Sequence, residues 1–257
     1  MLERILLTKQ QEVLNMKLPK QEKVTHYSLY KALKQPNRST ALIAEVKKAS
    51  PSKGVICEQF DPVKIASGYE AGGADAISVL TDRDYFQGHP DYLTAVKHAV
   101  KLPVMRKDFI IDESQIEEAV RIGADAVLLI VGVVPIEKLK ALYDHAYERG
   151  LECLVEVHAK EELEELLHVF APKIIGVNNR NLKTFETSLT QTEEMAALIP
   201  EGSLFVSESG IFTREDIDRV RKAGAAGVLV GESLMRAETP KKGIETLFGG
   251  EARVSTS

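Results

Sequence analysis

Short apolar runs recur along the chain at 41–46, 76–80, 102–106, 126–131, 151–157, 174–178, 204–207 and 227–231. Their starts lie 35, 26, 24, 25, 23, 30 and 23 residues apart, which leaves room in each interval for one strand, one helix and two loops. Nearly continuous apolar strands alternating with helices describe a parallel sheet covered on its faces. Helix starts fall in the gaps. Asp61-Pro62, His89-Pro90 and Val134-Pro135 place proline at the first helical turn, where its missing N–H costs nothing. Asp112 with Gln115, and Thr213 with Asp216, have the spacing of capping boxes. Ala-Gly-Gly-Ala-Asp-Ala at 71–76, Gly-Ala-Asp-Ala at 123–126 and Ala-Gly-Ala-Ala-Gly at 223–227 each close a helix and open a strand, a pattern that suits a repeat of two strand–helix units.

The first 40 residues follow a different pattern. Leu2, Ile5, Leu6 and Val13 lie near helical spacing, Tyr27 to Lys34 suits a second short helix, and Pro36-Asn37-Arg38-Ser39 breaks the pattern. The chain therefore divides into a helical N-terminal extension, 1–40, and a main domain, 41–257, with a small polar tail at 251–257 that we expect to fray. Eight strand–helix units in about 200 residues is the count of an α/β (β/α)8 TIM barrel. A doubly wound sheet is the alternative, but it usually has fewer strands and a glycine-rich first turn, and neither Gly-x-Gly-x-x-Gly nor a Walker A sequence occurs.

Side chains alternate across a strand, so the apolar face identifies the polar one. In the fifth predicted strand Cys153, Val155 and Val157 face the helices, which turns Glu152, Leu154 and Glu156 into the barrel. In the sixth, Ile175 and Val177 face outward, and Ile174, Gly176, Asn178 and Arg180 line the interior and its rim. The same parity brings Glu45 and Lys47 to the end of the first strand, Lys107 to the end of the third and Glu208 to the end of the seventh. Three carboxylates and three cations thus gather at the C-terminal ends of the strands, the face where barrel enzymes hold their catalytic groups. Desolvating such charges costs several kcal/mol per ion, and an interior salt-bridge network is the bland alternative. Ser209-Gly210 after the seventh strand and Gly231-Glu232-Ser233 after the eighth lie where barrels often bind phosphate through backbone N–H groups. The loop Ala49 to Gly54, with Ser50, could cover a ligand.

Composition narrows the partners. The chain has 33 Lys and Arg against 38 Asp and Glu, a formal charge of −5, which argues against a dedicated nucleic-acid binder but not against a small anionic ligand. Cys57 and Cys153 make no disulfide framework and no zinc pair, and fit two reduced thiols in the cytoplasm. The N-terminus carries charge where a signal peptide needs an apolar core, and the longest apolar run is too short to span a bilayer, so no membrane partner is expected. No His-x-x-x-His or carboxylate cluster resembles a metal site. His158, just after the fifth strand, reads as a helix-capping or exposed side chain, since Glu156 already takes the inward position. Glu161 to Glu165 reads as a solvated helix face.

Seven ordered motifs carry a resemblance. They are Ile43-Ala-Glu-Val-Lys-Lys-Ala-Ser-Pro-Ser-Lys-Gly54, Ser78-Val-Leu-Thr-Asp82 with Tyr85-Phe-Gln-Gly88, Leu102-Pro-Val-Met-Arg-Lys-Asp-Phe-Ile-Ile-Asp112, Leu154-Val-Glu-Val-His158, Ile175-Gly-Val-Asn-Asn-Arg-Asn-Leu182, Ser207-Glu-Ser-Gly-Ile211 and Leu229-Val-Gly-Glu-Ser-Leu-Met235. Over nearly its whole length the chain resembles the indole-3-glycerol phosphate synthase family of tryptophan biosynthesis. The resemblance implies a phosphorylated small-molecule substrate, 1-(2-carboxyphenylamino)-1-deoxyribulose 5-phosphate, closed to an indole with loss of CO2 and water, and it implies no cofactor and no metal. It implies Lys107 as the ring-closing acid, Glu156 and Glu45 in proton transfer, and Lys47 near the anionic groups. Asn178, Arg180, Glu208 and Ser209 match pocket-lining residues, and Ser50, Gly210, Gly231 and Glu232 match substrate- and phosphate-binding positions. Some relatives carry serine at Glu232, so any phosphate contact there is expected from the backbone, with the carboxylate turned away. Phe86 and Phe109 could flank the aromatic ring or belong to the core. We expect a monomer. Two readings remain beside this one. A related phosphate-binding barrel such as phosphoribosylanthranilate isomerase would offer a cysteine and an aspartate, and the inward Lys107 argues against it. A non-catalytic sugar-phosphate sensor would need the phosphate site without Lys107 or Glu156.

Overall fold

The structure is a computed structural model that describes residues 1–181 and 186–250. Leu182 of the fifth motif and the tail 251–257 lie outside the described residues. Eight parallel strands close into a barrel: β1 (Ala41–Val46), β2 (Ala76–Leu80), β3 (Val104–Lys107), β4 (Ala126–Ile130), β5 (Glu152–Val157), β6 (Ile174–Asn178), β7 (Leu204–Glu208) and β8 (Gly227–Val230), with β8 pairing back onto β1. Each lies within a residue or two of its apolar run. β3 starts after Pro103, which has no N–H to give a ladder. A two-residue antiparallel ribbon, Ala49–Ser50 with Gly54–Val55, folds the loop after β1.

Helices wrap the outside: α1 (Leu2–Leu14), α2 (Leu29–Lys34), α3 (Pro62–Gly72), α4 (Pro90–Ala99), α5 (Glu113–Arg121), α6 (Ile136–Glu148), α7 (Lys160–Val169), α8 (Thr190–Ala196), α9 (Arg214–Lys222), α10 (Glu232–Met235) and α11 (Pro240–Leu247). The Asp112–Gln115 and Thr213–Asp216 capping boxes both form, and Asp61 and His89 are N-caps followed by proline. Val134-Pro135 differs from expectation. Pro135 is itself the cap, and α6 begins at Ile136. No helix among the described residues is long and apolar enough to cross a membrane.

Two separate apolar layers follow from strand alternation. Cys153, Val155, Val157, Ile175 and Val177 join the layer between strands and helices, while Leu154, Ile174, Met105 and Val206 fill the barrel interior. The extension closes this interior from below. Leu29 and Leu33 of α2 are buried in the interior cluster, where Leu33 packs so closely on Gly227 that a Cβ there would clash with it.

The repeated Gly-Ala-Asp explains how the extension is held. Gly73 and Gly123 adopt φ of 88° and 89°, a left-handed turn that ends each helix and that glycine takes without strain. Two residues on, a buried aspartate receives backbone N–H groups from both the barrel and the extension. Asp75 accepts from Leu42 N at 2.8 Å and Asn37 N at 2.6 Å. Asp125 accepts from Val104 N at 2.8 Å and Tyr27 N at 2.9 Å. Glu152, at the lower end of β5, accepts from Ser28 Oγ at 2.7 Å and Tyr30 N at 2.8 Å. The third copy of the repeat has Ala226 in place of the aspartate, next to the glycine on which Leu33 rests.

Leu33 therefore stabilises the barrel from the end remote from its mouth. Replacing it with alanine removes buried methyls and leaves a cavity, a loss of about 2–5 kcal/mol. Denaturant unfolding of Leu33→Ala should show that loss with an unchanged KM for substrate. A normal unfolding midpoint would mean that α2 does not plug the barrel.

Candidate active site

The C-terminal ends of the strands surround one pocket, and every site residue singled out from the sequence borders it: Glu45, Lys47, Ser50, Phe86, Lys107, Phe109, Glu156, Asn178, Arg180, Glu208, Ser209, Gly210, Gly231 and Glu232. The charged residues do not form a single cluster. They sort into three groups.

At the floor, Lys107 Nζ donates to Glu156 Oε2 at 2.7 Å and to Glu208 Oε2 at 3.1 Å. The lysine side chain is 15% exposed and the two carboxylates 4% and 2%, so the triad meets the pocket through its cation. Asn178 Nδ2 donates to the other Glu156 oxygen at 3.2 Å. Register makes these contacts possible. Asn178 pairs with Glu208 across β6–β7, and Gly176 pairs with Glu156 across β5–β6. Gly176 is needed in the interior because a Cβ there would collide with Glu208 Oε1.

Burial alone would lower the Lys107 ammonium, but Glu156, Glu208 and Glu45 outweigh it and hold its pKa above the ordinary lysine range. Burial likewise favours neutral carboxyls. For Glu156 the Lys107 ammonium and His158 overcome it and hold the group well below the usual range. For Glu208 burial and the charge of Glu156 prevail over Lys107, and its pKa is pushed up. Two carboxylates around one ammonium are thus driven apart, the arrangement that separates an acid from a base at neutral pH.

On the β1 side, Glu45 Oε1 meets Lys47 Nζ at 2.5 Å. Gly231 touches this pair, and a Cβ at that position would strike Glu45 Oε1. Nearby, Ser50 Oγ is buried and has no hydrogen-bond partner among the described residues. At the rim, the Glu232 carboxylate lies 3.2 Å from Arg236 Nε, 3.7 Å from Lys53 Nζ and 3.9 Å from Arg180 Nη2. Its charge is covered by three cations from three segments. Gly231 caps the short helix α10 directly after β8, and Ser209 and Gly210 after β7 have φ of 65° and 77°. Consecutive left-handed residues turn backbone groups to one side, and Asn179 Nδ2 holds this turn by donating to Ser209 O at 3.0 Å. Phe86 and Phe109 stand across the apolar wall with ring centroids 6.3 Å apart, half-buried and facing the pocket together with Leu128 and Ile130.

His158 corrects the sequence reading. It is not an exposed side chain. It is 7% exposed, borders the pocket, and places Nε2 2.9 Å from Glu156 Oε1 and Nδ1 3.7 Å from Glu162 Oε2. It lies one residue beyond the end of β5, where strict alternation no longer fixes direction. The signal available was Glu162 four residues on, whose carboxylate accepts His158 N at 2.6 Å. Sequence reasoning also missed Asp82 and Asp108, while Leu2 and Ile5 of the extension's apolar stripe border the pocket together with Met1.

The fold is a (β/α)8 barrel with a lysine–carboxylate triad at the strand ends. Among solved structures the chain is similar to 3-hexulose-6-phosphate synthase from Salmonella typhimurium, with a TM-score of 0.65 at 13% identity over 82% of this chain and 98% of that one. It is also similar to thiamine phosphate pyrophosphorylase from Pyrococcus furiosus, with a TM-score of 0.62 at 18% identity over 82% and 95%. These likenesses concern the fold. The sequence goes further, matching the family model of indole-3-glycerol phosphate synthase over residues 2–247. It is 64% identical to the indole-3-glycerol phosphate synthase of Halalkalibacterium halodurans over 98% of both chains, and 58% identical to that of Priestia megaterium over 97% of this chain and 98% of that one. The chain belongs to the indole-3-glycerol phosphate synthase family.

His158 yields a test. Burial lowers its pKa, but Glu156 and Glu162 raise it more, from 6.5 to about 10. Its contribution to stability is therefore complete below 6.5 and fades as pH rises through about 10. The gap in melting temperature between the wild type and His158→Gln should be widest below 6.5 and narrow above 10. Parallel pH profiles would show that the imidazolium does not pair with Glu156.

Proposed function

We propose that this pocket closes 1-(2-carboxyphenylamino)-1-deoxyribulose 5-phosphate to indole-3-glycerol phosphate, with Lys107 as the acid and Glu156 as the base. Family membership supports the reaction. The observation that carries the residue roles is the ammonium of Lys107 at the pocket floor, flanked by two carboxylates of opposite pKa shift.

The aromatic ring lies against Phe86 and Phe109, which brings its carboxyl-bearing carbon to the ketone. As that carbon attacks, the new C–C bond forms and the ketone oxygen becomes an alkoxide. Lys107 donates to this oxygen, an interaction that strengthens as charge develops. The carboxylate leaves as CO2, and its bonding pair restores the aromatic ring. The hydroxyl then departs as water on receiving a proton, while Glu156 removes a proton from the adjacent CH2 so that the ring double bond forms. Glu45 serves as the second proton-transfer carboxylate, beside Lys47, which faces the substrate's anionic groups. Ser50, Asn178, Arg180, Glu208 and Ser209 position the substrate. The phosphate is held by Lys47 and the turns at Gly210, Gly231 and Glu232, the last through its backbone N–H, because its carboxylate is engaged by cations. We further propose that the extension 1–40 and the barrel domain 41–257 act as one monomeric cytoplasmic unit needing no cofactor, metal, nucleic acid or membrane.

Adding substrate and following indole fluorescence tests the reaction. Lys107→Met keeps most of the stem and removes the charge. It should lower kcat by about 10²–10⁴, the usual range for a positioned acid, with a much smaller change in KM. A risen KM with near-normal kcat would instead make Lys107 an anchor and move the acid's role to Lys47.

A further inference from the structure

Lys9 has no part in the chemistry above, yet this single lysine of α1 has a side chain only 1% exposed. Taking an ammonium out of water costs several kcal/mol unless its partners are well placed. Lys9 Nζ lies 2.7 Å from Asp82 Oδ2, 2.9 Å from Asp108 Oδ1 and 2.8 Å from Glu12 Oε2. The two aspartate side chains are 0% and 3% exposed, so this is an interior network rather than a surface pair. Burial would lower the Lys9 pKa, but Asp108 and Asp82 outweigh it and the ammonium stays charged.

Each aspartate also organises backbone that carries a pocket residue. Asp82 Oδ1 accepts from Tyr85 N at 2.8 Å and Phe86 N at 3.1 Å, fixing the turn that presents Phe86. Asp108 follows Lys107 and accepts from Phe109 N at 2.9 Å. It also receives Thr81 Oγ1 at 2.5 Å and Arg106 Nη2 at 3.3 Å. Arg106 also faces Asp108, but its Nη2 lies closer to Glu118, at 2.6 Å, so Lys9 at 2.9 Å shares in neutralising Asp108. What Lys9 adds is a bridge between the loop after β2 and the loop after β3, each bearing one ring of the tilted pair.

We infer that Lys9 is a positioning residue of the N-terminal helix: by joining Asp82 to Asp108 it sets the spacing of Phe86 and Phe109 and so the apolar wall on which the substrate's aromatic ring lies. The inference rests on the reading that these rings flank that part of the substrate. Without the bridge the rings lose their register, and the aromatic end binds weakly while the phosphate turns after β7 and β8 stay intact.

The test uses the full chain with Lys9→Met and, because that change leaves two buried carboxylates facing one another, a second variant combining Lys9→Met with Asp82→Asn. KM, kcat, melting temperature and competitive inhibition by inorganic phosphate are measured for each. KM for substrate should rise about 10- to 100-fold, the scale of a misplacement of about 1 Å, with the inhibition constant of inorganic phosphate unchanged. Lys9→Arg, which keeps the charge, should recover part of the loss. A lowered melting temperature with unchanged KM, or failure of both neutral variants to fold, would assign Lys9 to stability alone and overturn the inference. Phe86→Leu and Phe109→Leu separate the two readings. If neither raises KM, the rings do not flank the substrate. If they raise it and Lys9→Met does not, only the role of Lys9 fails.

Discussion

The site depends on keeping one ammonium buried among carboxylates at the mouth of a barrel. At 15% side-chain exposure the Lys107 ammonium is held charged by Glu156, Glu208 and Glu45, and Glu156 is held ionised at its depth by Lys107 and His158. The distances of 2.7 and 3.1 Å from Lys107 to Glu156 and Glu208 demand that the ends of β3, β5 and β7 converge. Parallel register supplies the convergence, and Gly176 on the intervening strand leaves the volume that Glu208 occupies. The same charge balance splits the two carboxyls, depressing one pKa and raising the other. Geometry and reactivity at this site therefore share one cause.

The extension belongs to the same physical problem. A barrel of eight short strands is open at both ends, and its interior side chains need cover. Below, α2 inserts Leu29 and Leu33, fixed by Asp75, Asp125 and Glu152 through backbone N–H groups. Above, Met1 and, from α1, Leu2 and Ile5 join the pocket wall. The segment thus reaches both ends of the barrel.

Much of this was legible in the sequence because strand alternation is a strict rule while the strand lasts. The apolar faces of β5 and β6 were enough to turn Glu156 and Asn178 toward one mouth, the same parity on β3 turned Lys107 there, and the Gly-Ala-Asp repeat marked the strand starts. Legibility failed where strand alternation does not reach, past the end of a strand or where a partner comes from far along the chain. His158 lies past the end of its strand, and its burial follows from Glu156 and Glu162 together. Lys9 looks like any solvated lysine on an amphipathic helix, because its partners Asp82 and Asp108 come from far along the chain. The pairing of Glu232 with Lys53 and Arg180 was hidden for the same reason, since both cations come from other segments, whereas Arg236 is only four residues on.

The central claim, that Lys107 is shared unequally by two buried carboxylates, is tested most directly by a pH titration of the glutamate side-chain carbonyls by carbon NMR, with Glu208→Gln and Glu156→Gln assigning the signals. The account predicts one glutamate that stays ionised down to the lowest pH at which the fold survives and another that takes up its proton well above the ordinary carboxylate range, the second signal vanishing in Glu208→Gln. Two buried glutamates titrating together in the ordinary range would contradict it.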